Sequence, residues 1–195
     1  MTSSDATAVR ADAQRNRQRL LEVARRAFAA GDGKVALESI AKEAGVGIGT
    51  LYRHFPTREA LVEAVYRNEL GRVRQSAEEL LASLDPDVAL RAWMDCFADY
   101  VATKRGMAET LRAVVASGAI TSSQTRDGLT AAIQSLLDAG AAAGTVRGDV
   151  GAEDVFASLT GIFLSAGEPD RRQQAGRMLD LLVDGLRAPL GGSVS

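Results

Sequence analysis

Residues 48–55 combine side-chain types whose spacing suits contact with nucleic acid; they are Ile48, Gly49, Thr50, Leu51, Tyr52, Arg53, His54 and Phe55. On a helix, Leu51 and Phe55 would share one apolar face, a turn apart. The opposite side would present Gly49, Thr50 and Arg53. Arginine, threonine and tyrosine can reach phosphates and base edges in the major groove of DNA. The run therefore predicts a recognition helix, although any amphipathic helix has a polar face.

The residues before this run predict the elements that would hold it in place. A short helix with one buried face is indicated by the spacing of Leu37, Ile40, Ala41 and Ala44. Gly45 follows as a stop, because glycine accepts the positive φ of a tight turn without penalty. A longer helix over about 12–30 has an apolar stripe (Leu20, Leu21, Ala24, Ala27, Phe28) opposite five arginines (Arg15, Arg17, Arg19, Arg25, Arg26). Three helices in this arrangement match the unit that docks a recognition helix in DNA.

At these positions the chain resembles the tetracycline-repressor (TetR) family of transcriptional regulators. The matching sequence segments are residues 40–46, 49–55 and 58–61, within a resemblance that covers about 14–65. The resemblance implies an all-helical homodimer that represses transcription until a small molecule releases it from its DNA operator. It also implies the DNA contacts: Tyr52, His54 and Arg58 at phosphates, and Thr50 and Arg53 at bases, with Ile48 and Gly49 beside them.

The chain departs from the family pattern in three places. Gly47 stands where a serine usually caps the recognition helix, so one capping hydrogen bond is missing. Ile48 replaces a residue that is often polar or basic, and it either contacts a thymine methyl group or packs inward. Val35 and Ala36 stand where threonine usually begins the second helix, which puts the phosphate contact expected there in question.

Charge is divided unevenly along the 195 residues, whose formal net charge is −2. Residues 1–75 contain 13 basic and 9 acidic residues, whereas residues 76–195 contain 10 and 16. The basic part coincides with the predicted helix-turn-helix, as electrostatic attraction to DNA requires. We predict a disordered tail over 1–11, a DNA-binding domain over 12–56, a ligand-binding and dimerisation domain over 57–188, and a loose tail over 189–195.

The larger domain is predicted to contain six helices and no strand, which gives about nine helices in an all-α fold. They are expected at about 57–84, 85–104, 107–115, 121–143, 152–167 and 170–186. Residues of the central helices could line a ligand cavity; they are Trp93, Met94, Phe97, Tyr100, Met107, Leu111, Val114, Leu129 and Ile133. Ordinary core packing explains the same spacing. Few charges fall on these faces, so we expect a small, largely apolar ligand.

The last two helices carry broad apolar faces, formed by Val155, Phe156, Leu159, Ile162, Phe163, Met178, Leu179, Leu182, Val183 and Leu186. Such a pair has more apolar surface than one partner needs, which predicts a four-helix bundle across a two-fold axis. Burial within one chain is the alternative. DNA geometry favours the dimer, because two recognition helices read half-sites about 34–36 Å apart.

An enzyme is disfavoured by the residues present. His54 is the only histidine, and no Ser/His/Asp arrangement, metal-ligand cluster or phosphate-binding glycine loop accompanies it. We expect no catalytic residue, no metal and no cofactor. Cys96 is the only cysteine, so no intramolecular disulfide can form, and we interpret it as a core thiol, with a redox sensor as the alternative.

Targeting signals are also missing from the sequence. No apolar run approaches the length of a membrane span, and the N-terminus has no hydrophobic signal core. We therefore expect a cytoplasmic protein with no membrane partner. The alternative function is a helical ligand-binding or interaction module with weakened or lost DNA binding, of which Gly47 and Val35 would be the signs.

Overall fold

The computed structural model of the protein describes residues 3–30, 35–166 and 171–188. Nine α-helices lie within these ranges: α1 (Ser3–Ala30), α2 (Leu37–Glu43), α3 (Ile48–His54), α4 (Arg58–Leu81), α5 (Pro86–Gly106), α6 (Ala108–Ala116), α7 (Ser122–Ala142), α8 (Ala152–Ala166) and α9 (Arg172–Leu186). The described ranges contain no strand longer than one antiparallel bridge, between Val146 and Arg187. The predicted all-α fold, with three helices followed by six, is confirmed.

α1 begins earlier than the sequence analysis places its first helix. Residues 3–11 belong to α1, although the sequence analysis assigns them to a disordered tail. Three alanines in this stretch favour helix, and a helix that already exists from residue 12 extends without a new nucleus. Residues 1–2, the predicted tail at 189–195 and the predicted helix ends at 167 and 170 lie outside the described residues.

The chain forms two compact units that do not follow the predicted division at residues 56 and 57. The first unit comprises residues 1–69 and 102–121, and the second comprises residues 70–101 and 122–195. Both α4 and α5, which are 24 and 21 residues long, contribute residues to each unit. The division falls inside helices because apolar residues in the first half of α4, such as Leu61 and Val62, are buried in the first unit.

The core of the first unit is formed largely by the helices that the sequence analysis assigns to DNA binding. Its buried side chains include Leu20, Leu21, Ala24, Phe28, Ile40, Ala41, Ala44, Leu51 and Phe55. Burying one large side chain of this kind stabilises a protein by about 1.5–3 kcal/mol. The three short apolar stripes therefore position α2 and α3 against α1.

Gly106 lets the end of α5 approach α1 closely within the first unit. A Cβ atom at this position would lie 1.7 Å from the carbonyl oxygen of Phe28. Backbone atoms cannot swing aside as a flexible side chain does, so only glycine fits here. α6 begins two residues later, at Ala108. The junction between α5 and α6 is thereby held against α1.

Within the second unit, aromatic side chains pack around Phe97 of α5. Its ring centre lies 5.7 Å from that of Trp93 and 5.7 Å from that of Phe163 on α8. The indole N–H of Trp93 donates to the carbonyl of Val73 on α4 at 2.7 Å. This hydrogen bond satisfies the one polar atom of a fully buried side chain, so Trp93 is part of a packed core.

Candidate nucleic-acid interface

The turn between α2 and α3 is formed at Gly45. Its φ of +67° lies in the left-handed region that glycine adopts without strain. The N–H of Gly45 donates to the carbonyl of Lys42 at 3.1 Å, and the N–H of Val46 donates to the carbonyl of Ala41 at 3.0 Å. These two hydrogen bonds form a Schellman motif, which ends a helix. The predicted glycine stop is confirmed, and α3 begins three residues later.

Two apolar side chains fix α3 to the first unit. Leu51 is fully buried, and Phe55, directly after the last helical residue, is 2% exposed. The guanidinium of Arg17 on α1 lies 5.4 Å from the centre of the Phe55 ring. The predicted apolar face of this seven-residue helix is confirmed, and its other side is turned away from the core.

Four residues of α3 are exposed: Ile48, Gly49, Tyr52 and Arg53. Ile48 is 39% exposed and Tyr52 is 43% exposed. Within the described part of the chain, Arg53 has no hydrogen-bond or ion-pair partner. The helix therefore offers a guanidinium, a phenol and an apolar group on one surface, and these groups match the donors, acceptors and thymine methyl groups of the major groove.

Ile48 lies on the outer surface and does not pack into the core. Side chains tilt toward the N-terminus of a helix, so the first helical residue projects past the helix end. Thr50 and His54, one turn apart, are half-buried at the edge of the exposed surface. For Thr50 this differs from the outward position predicted from the sequence.

α3 has no side-chain cap at its N-terminus. Gly47 occupies the N-cap position in an extended conformation, and no side-chain hydrogen bond is made there. The N–H of Thr50 donates to the Gly47 carbonyl at 2.9 Å. The missing cap predicted from the sequence is confirmed. In contrast, Thr57 caps α4 by accepting a hydrogen bond from the N–H of Ala60 at 3.1 Å.

Two arginines of α1 are held by acidic neighbours within the first unit. Arg25 lies 2.7 Å from a carboxylate oxygen of Glu22 and 4.0 Å from one of Glu69. Arg26 pairs with Glu43 of α2 at 3.1 Å. A cation that is already paired adds less to the attraction for phosphate, so these arginines reinforce the packing of α1 on its neighbours.

Arg58 differs from Arg53 in its surroundings. It is half-buried at the first position of α4. Its Nη1 donates to the carbonyl of Val35 at 2.5 Å, and its Nε donates to the hydroxyl of Thr110 at 3.2 Å. The guanidinium carbon lies 5.7 Å from the centre of the Phe28 ring. The phosphate contact assigned to Arg58 stays a prediction, while the contacts it makes here are internal.

The nine candidate pocket residues are all buried, none more than 5% exposed. Six belong to the second unit (Trp93, Met94, Phe97, Tyr100, Leu129, Ile133) and three to the first (Met107, Leu111, Val114). The ring contacts of Phe97 and the hydrogen bond of Trp93 are those of ordinary core packing. The ligand site stays a prediction.

The candidate dimer residues are mostly buried within the protomer. Seven are buried (Val155, Leu159, Ile162, Phe163, Leu179, Val183, Leu186) and three are half-buried (Phe156, Met178, Leu182). Two leucines absent from the prediction are exposed instead: Leu164 on α8 at 83% and Leu181 on α9 at 71%. Both lie off the main apolar stripe of their helix, and that offset is the signal by which the sequence could have revealed them.

Two sequence families match the chain. The family described as "Bacterial regulatory proteins, tetR family" matches residues 20–65, which include α2 and α3. The family described as "Transcriptional regulator SbtR-like, C-terminal domain" matches residues 85–188, which include α5 to α9. The second match alone covers more than half of the 195 residues.

Regulators of known structure are similar over most of the chain. The TetR transcriptional regulator from Streptomyces coelicolor is 52% identical, with 90% of this chain and 99% of that chain covered and a TM-score of 0.82. The TetR transcription regulatory protein from Mycobacterium vanbaalenii is 35% identical, with 92% and 99% covered and a TM-score of 0.72. An HTH-type transcriptional regulator of Staphylococcus aureus is 43% identical over 63 residues, which span 32% of this chain and only 34% of that protein.

The fold and the exposed face of α3 define a helix-turn-helix DNA-binding protein. The two family matches and the solved relatives then identify the chain as a member of the TetR family of transcriptional regulators. Proteins of this family regulate transcription and are not enzymes, as the sequence analysis predicts.

Metal-ligand clusters and membrane-spanning helices are both lacking among the described residues. No group of histidine, cysteine, aspartate or glutamate side chains there is arranged to hold a metal ion. None of the described helices combines the length and the apolar character needed to cross a membrane.

Proposed function

We propose that the protein is a homodimeric repressor that binds a palindromic operator and is released from it by a small, largely apolar ligand. The observation that carries the proposal is the exposed face of α3, where Arg53 and Tyr52 are turned away from the core. Family membership supports DNA binding itself. The dimer, the sign of regulation, the effector and the cytoplasmic location are our inferences.

In this proposal α3 enters the major groove with its exposed side toward the bases. Arg53 is suited to guanine, because a guanidinium can donate two hydrogen bonds to its major-groove edge. Ile48 is suited to a thymine methyl group. Tyr52 is suited to a phosphate, since a phenol at the groove edge can donate to a backbone oxygen. Thr50 and His54 are half-buried at the edge of this surface, so they would contact only DNA atoms that come close to the helix.

We infer a two-fold dimer through α8 and α9, with the exposed leucines at its centre. Around Leu164 the outer side of α8 carries the small residues Ala157 and Gly161, and near Leu181 α9 carries Gly185. A Cβ atom at Gly161 or Gly185 would meet nothing within 4 Å, so both positions open onto free space. Small residues permit close approach of a second helix pair, and two such pairs form a four-helix bundle.

For the effector we infer an apolar molecule that binds among the buried aromatic residues of the second unit. The side chains around Phe97 offer aromatic and aliphatic contacts, and the indole N–H of Trp93 is already used by the carbonyl of Val73. A ligand that binds the folded protein raises its Tm in proportion to the logarithm of ligand concentration. A thermal-shift screen of apolar compounds therefore identifies candidates, and release from DNA is then measured with each of them.

The central experiment is selection of bound sequences from random DNA duplexes by the full-length protein. We expect an inverted repeat whose half-sites are centred one helical turn apart, about 34–36 Å, or a multiple of that distance. Specific binding should exceed nonspecific binding by at least about 10³-fold. Enrichment of a single half-site would contradict the dimer, and enrichment of no sequence would contradict operator recognition.

A further inference from the structure

We propose that Arg58 is a positioning residue that ties α6 to the start of the helix-turn-helix, and that it does not contact a DNA phosphate. The inference rests on DNA binding by α3, as proposed above, and it assigns Arg58 a role opposite to the one suggested by the family resemblance. Three sets of contacts, all within the first unit, lead to it.

The first set joins Arg58 to the chain that enters α2. The carbonyl of Val35, which accepts from Nη1 at 2.5 Å, lies two residues before Leu37, where α2 begins. The N-cap residue, Ala36, has no side chain that can cap this helix. Arg58 donates and so cannot cap the helix, but its hydrogen bond to the Val35 carbonyl gives the chain a fixed point at the start of α2. Because α2 passes directly into the Gly45 turn, that fixed point also helps to position α3.

The second set joins Arg58 to α6. The hydroxyl of Thr110 accepts from Nε at 3.2 Å, so two N–H groups of one planar guanidinium connect two separate segments. An arginine holds its donors in a rigid fork, which makes the two contacts geometrically dependent on each other. A displacement of Thr110 would therefore disturb the contact with Val35 as well.

The third set joins both to α1. The guanidinium stacks over the Phe28 ring at 5.7 Å, and the carbonyl of the same residue touches Gly106 just before α6. Phe28 is fully buried and cannot move independently of the core. A shift of the α5–α6 junction relative to α1 would thus move the guanidinium through two contacts, the Phe28 ring and the Thr110 hydroxyl.

The charges around Arg58 also oppose a phosphate at this position. Arg58 lines a shallow surface depression together with Glu59 and Glu109. Two acidic residues in the lining of the same depression lower the positive potential that binding of a DNA phosphate requires. Arg53 is the contrasting case, because its guanidinium is exposed and uncommitted within the described residues.

Salt dependence of operator binding separates the two roles. A lost phosphate contact lowers the slope of log K against log salt by about 0.9 for each subunit, whereas a lost positioning contact leaves the slope unchanged. We expect Arg58→Gln to weaken binding to the selected duplex about tenfold, as for one lost charge-assisted hydrogen bond, with the wild-type slope. Arg58→Lys should do the same, because it keeps the charge but loses the fork.

Thr110 provides the matched pair of variants. Thr110→Val removes no charge, yet it should weaken operator binding several-fold and lower the Tm by about 2–4 °C, as for one lost hydrogen bond. Thr110→Ser keeps the hydroxyl and should bind like wild type. The double variant Arg58→Gln/Thr110→Val should be no weaker than Arg58→Gln alone, since both changes break the same link.

Opposite results overturn the inference without touching the proposed function. These are a slope reduced by about 0.9 per subunit in Arg58→Gln, wild-type binding by Arg58→Lys, and Thr110→Val indistinguishable from wild type in affinity and Tm. If the wild-type protein selects no DNA sequence, the proposed function fails instead. The link is then judged by Tm alone, and additive effects of Arg58→Gln and Thr110→Val would refute it.

Discussion

At the scale of single residues, two arginines only five positions apart have different surroundings in the first unit. Arg53 is exposed and has no partner within the described residues, so the N–H donors of its guanidinium are available to DNA. The guanidinium of Arg58 is held by Val35 and Thr110, and leaving those acceptors would cost the hydrogen bonds already made. Local sequence does not distinguish the two arginines, because the acceptors that hold Arg58 lie 23 and 52 positions away from it in the chain.

Arg53→Ala should weaken specific binding more than nonspecific binding. A lost bidentate contact with a base reduces discrimination by about 1–3 kcal/mol, or roughly 5- to 150-fold, whereas a lost phosphate contact weakens all sequences equally. Affinity is measured by fluorescence anisotropy with the selected operator and with a scrambled duplex. Arg112→Ala, which removes the same charge from the exposed surface of α6, is the control. Equal losses on both duplexes would assign Arg53 to a phosphate.

At the scale of elements, α3 is a seven-residue helix whose position depends on the residues around it. A helix this short is not stable alone, so the burial of Leu51 and Phe55 and the turn at Gly45 must supply what the missing cap does not. The absence of a cap at Gly47 leaves a stabilising change available. The conformation of Gly47, with φ −68° and ψ 148°, is one that serine adopts readily.

Gly47→Ser should therefore stabilise the protein. We expect a gain of about 0.5 kcal/mol, from a new capping hydrogen bond and from the smaller entropy of the unfolded chain. A Cβ atom at Gly47 meets nothing within 4 Å, so no clash opposes the change. Urea unfolding measures the effect. Gly45→Ala is the control and should destabilise by about 1–2 kcal/mol, because φ at Gly45 is +67°. A loss of stability in Gly47→Ser would show that the N-cap geometry is constrained by other contacts.

Gly106→Ala tests the packing of the α5–α6 junction on α1. The added methyl group would overlap the carbonyl oxygen of Phe28, and the backbone must move to relieve the overlap. We expect a loss of at least about 3 kcal/mol, at the upper end of overpacking costs. Gly71→Ala in α4, where a Cβ meets nothing within 4 Å, should instead stabilise by about 0.5–1 kcal/mol. Near-neutral behaviour of Gly106→Ala in urea unfolding would contradict the close approach.

At the scale of the whole molecule, the exposed apolar surface is more informative than the total apolar content. Hydrophobic residues make up 46% of the chain, which is ordinary for a globular protein. Leu164 and Leu181 nevertheless remain 83% and 71% exposed on the last two helices. Covering both in a partner would remove large apolar areas from water, at about 25 cal/mol per Å².

Leu164→Asp combined with Leu181→Asp should convert the proposed dimer into a folded monomer. Central apolar residues of an interface contribute at least about 2 kcal/mol each, so the dimer dissociation constant should rise by about 10³-fold or more. Sedimentation equilibrium measures the mass, and circular dichroism confirms that the helices persist. Val88→Asp, at an apolar position of α5 that is 48% exposed, should leave the mass unchanged. A wild-type chain that sediments as a monomer would remove the basis of the proposed bundle.

The sequence by itself determined the nine helices that lie within the described residues, the helix-turn-helix and the glycine turn at Gly45. These features depend on short-range rules: apolar spacing of three and four residues, backbone hydrogen bonds within a turn, and the φ that only glycine adopts freely. It also specified the uncapped start of α3, because a glycine at that position has no side chain to accept the bond.

Only the tertiary structure decided which of these residues are free to act. Periodicity finds the apolar stripes of α8 and α9 and sets Leu164 and Leu181 off them, but only the packing of the two helices shows that most of each stripe is buried within the protomer. The role of Arg58 likewise depends on Thr110, which is 52 positions away in the chain. Burial and hydrogen-bond partners depend on the packing of elements that are far apart in the sequence, and a local pattern of residues does not specify that packing.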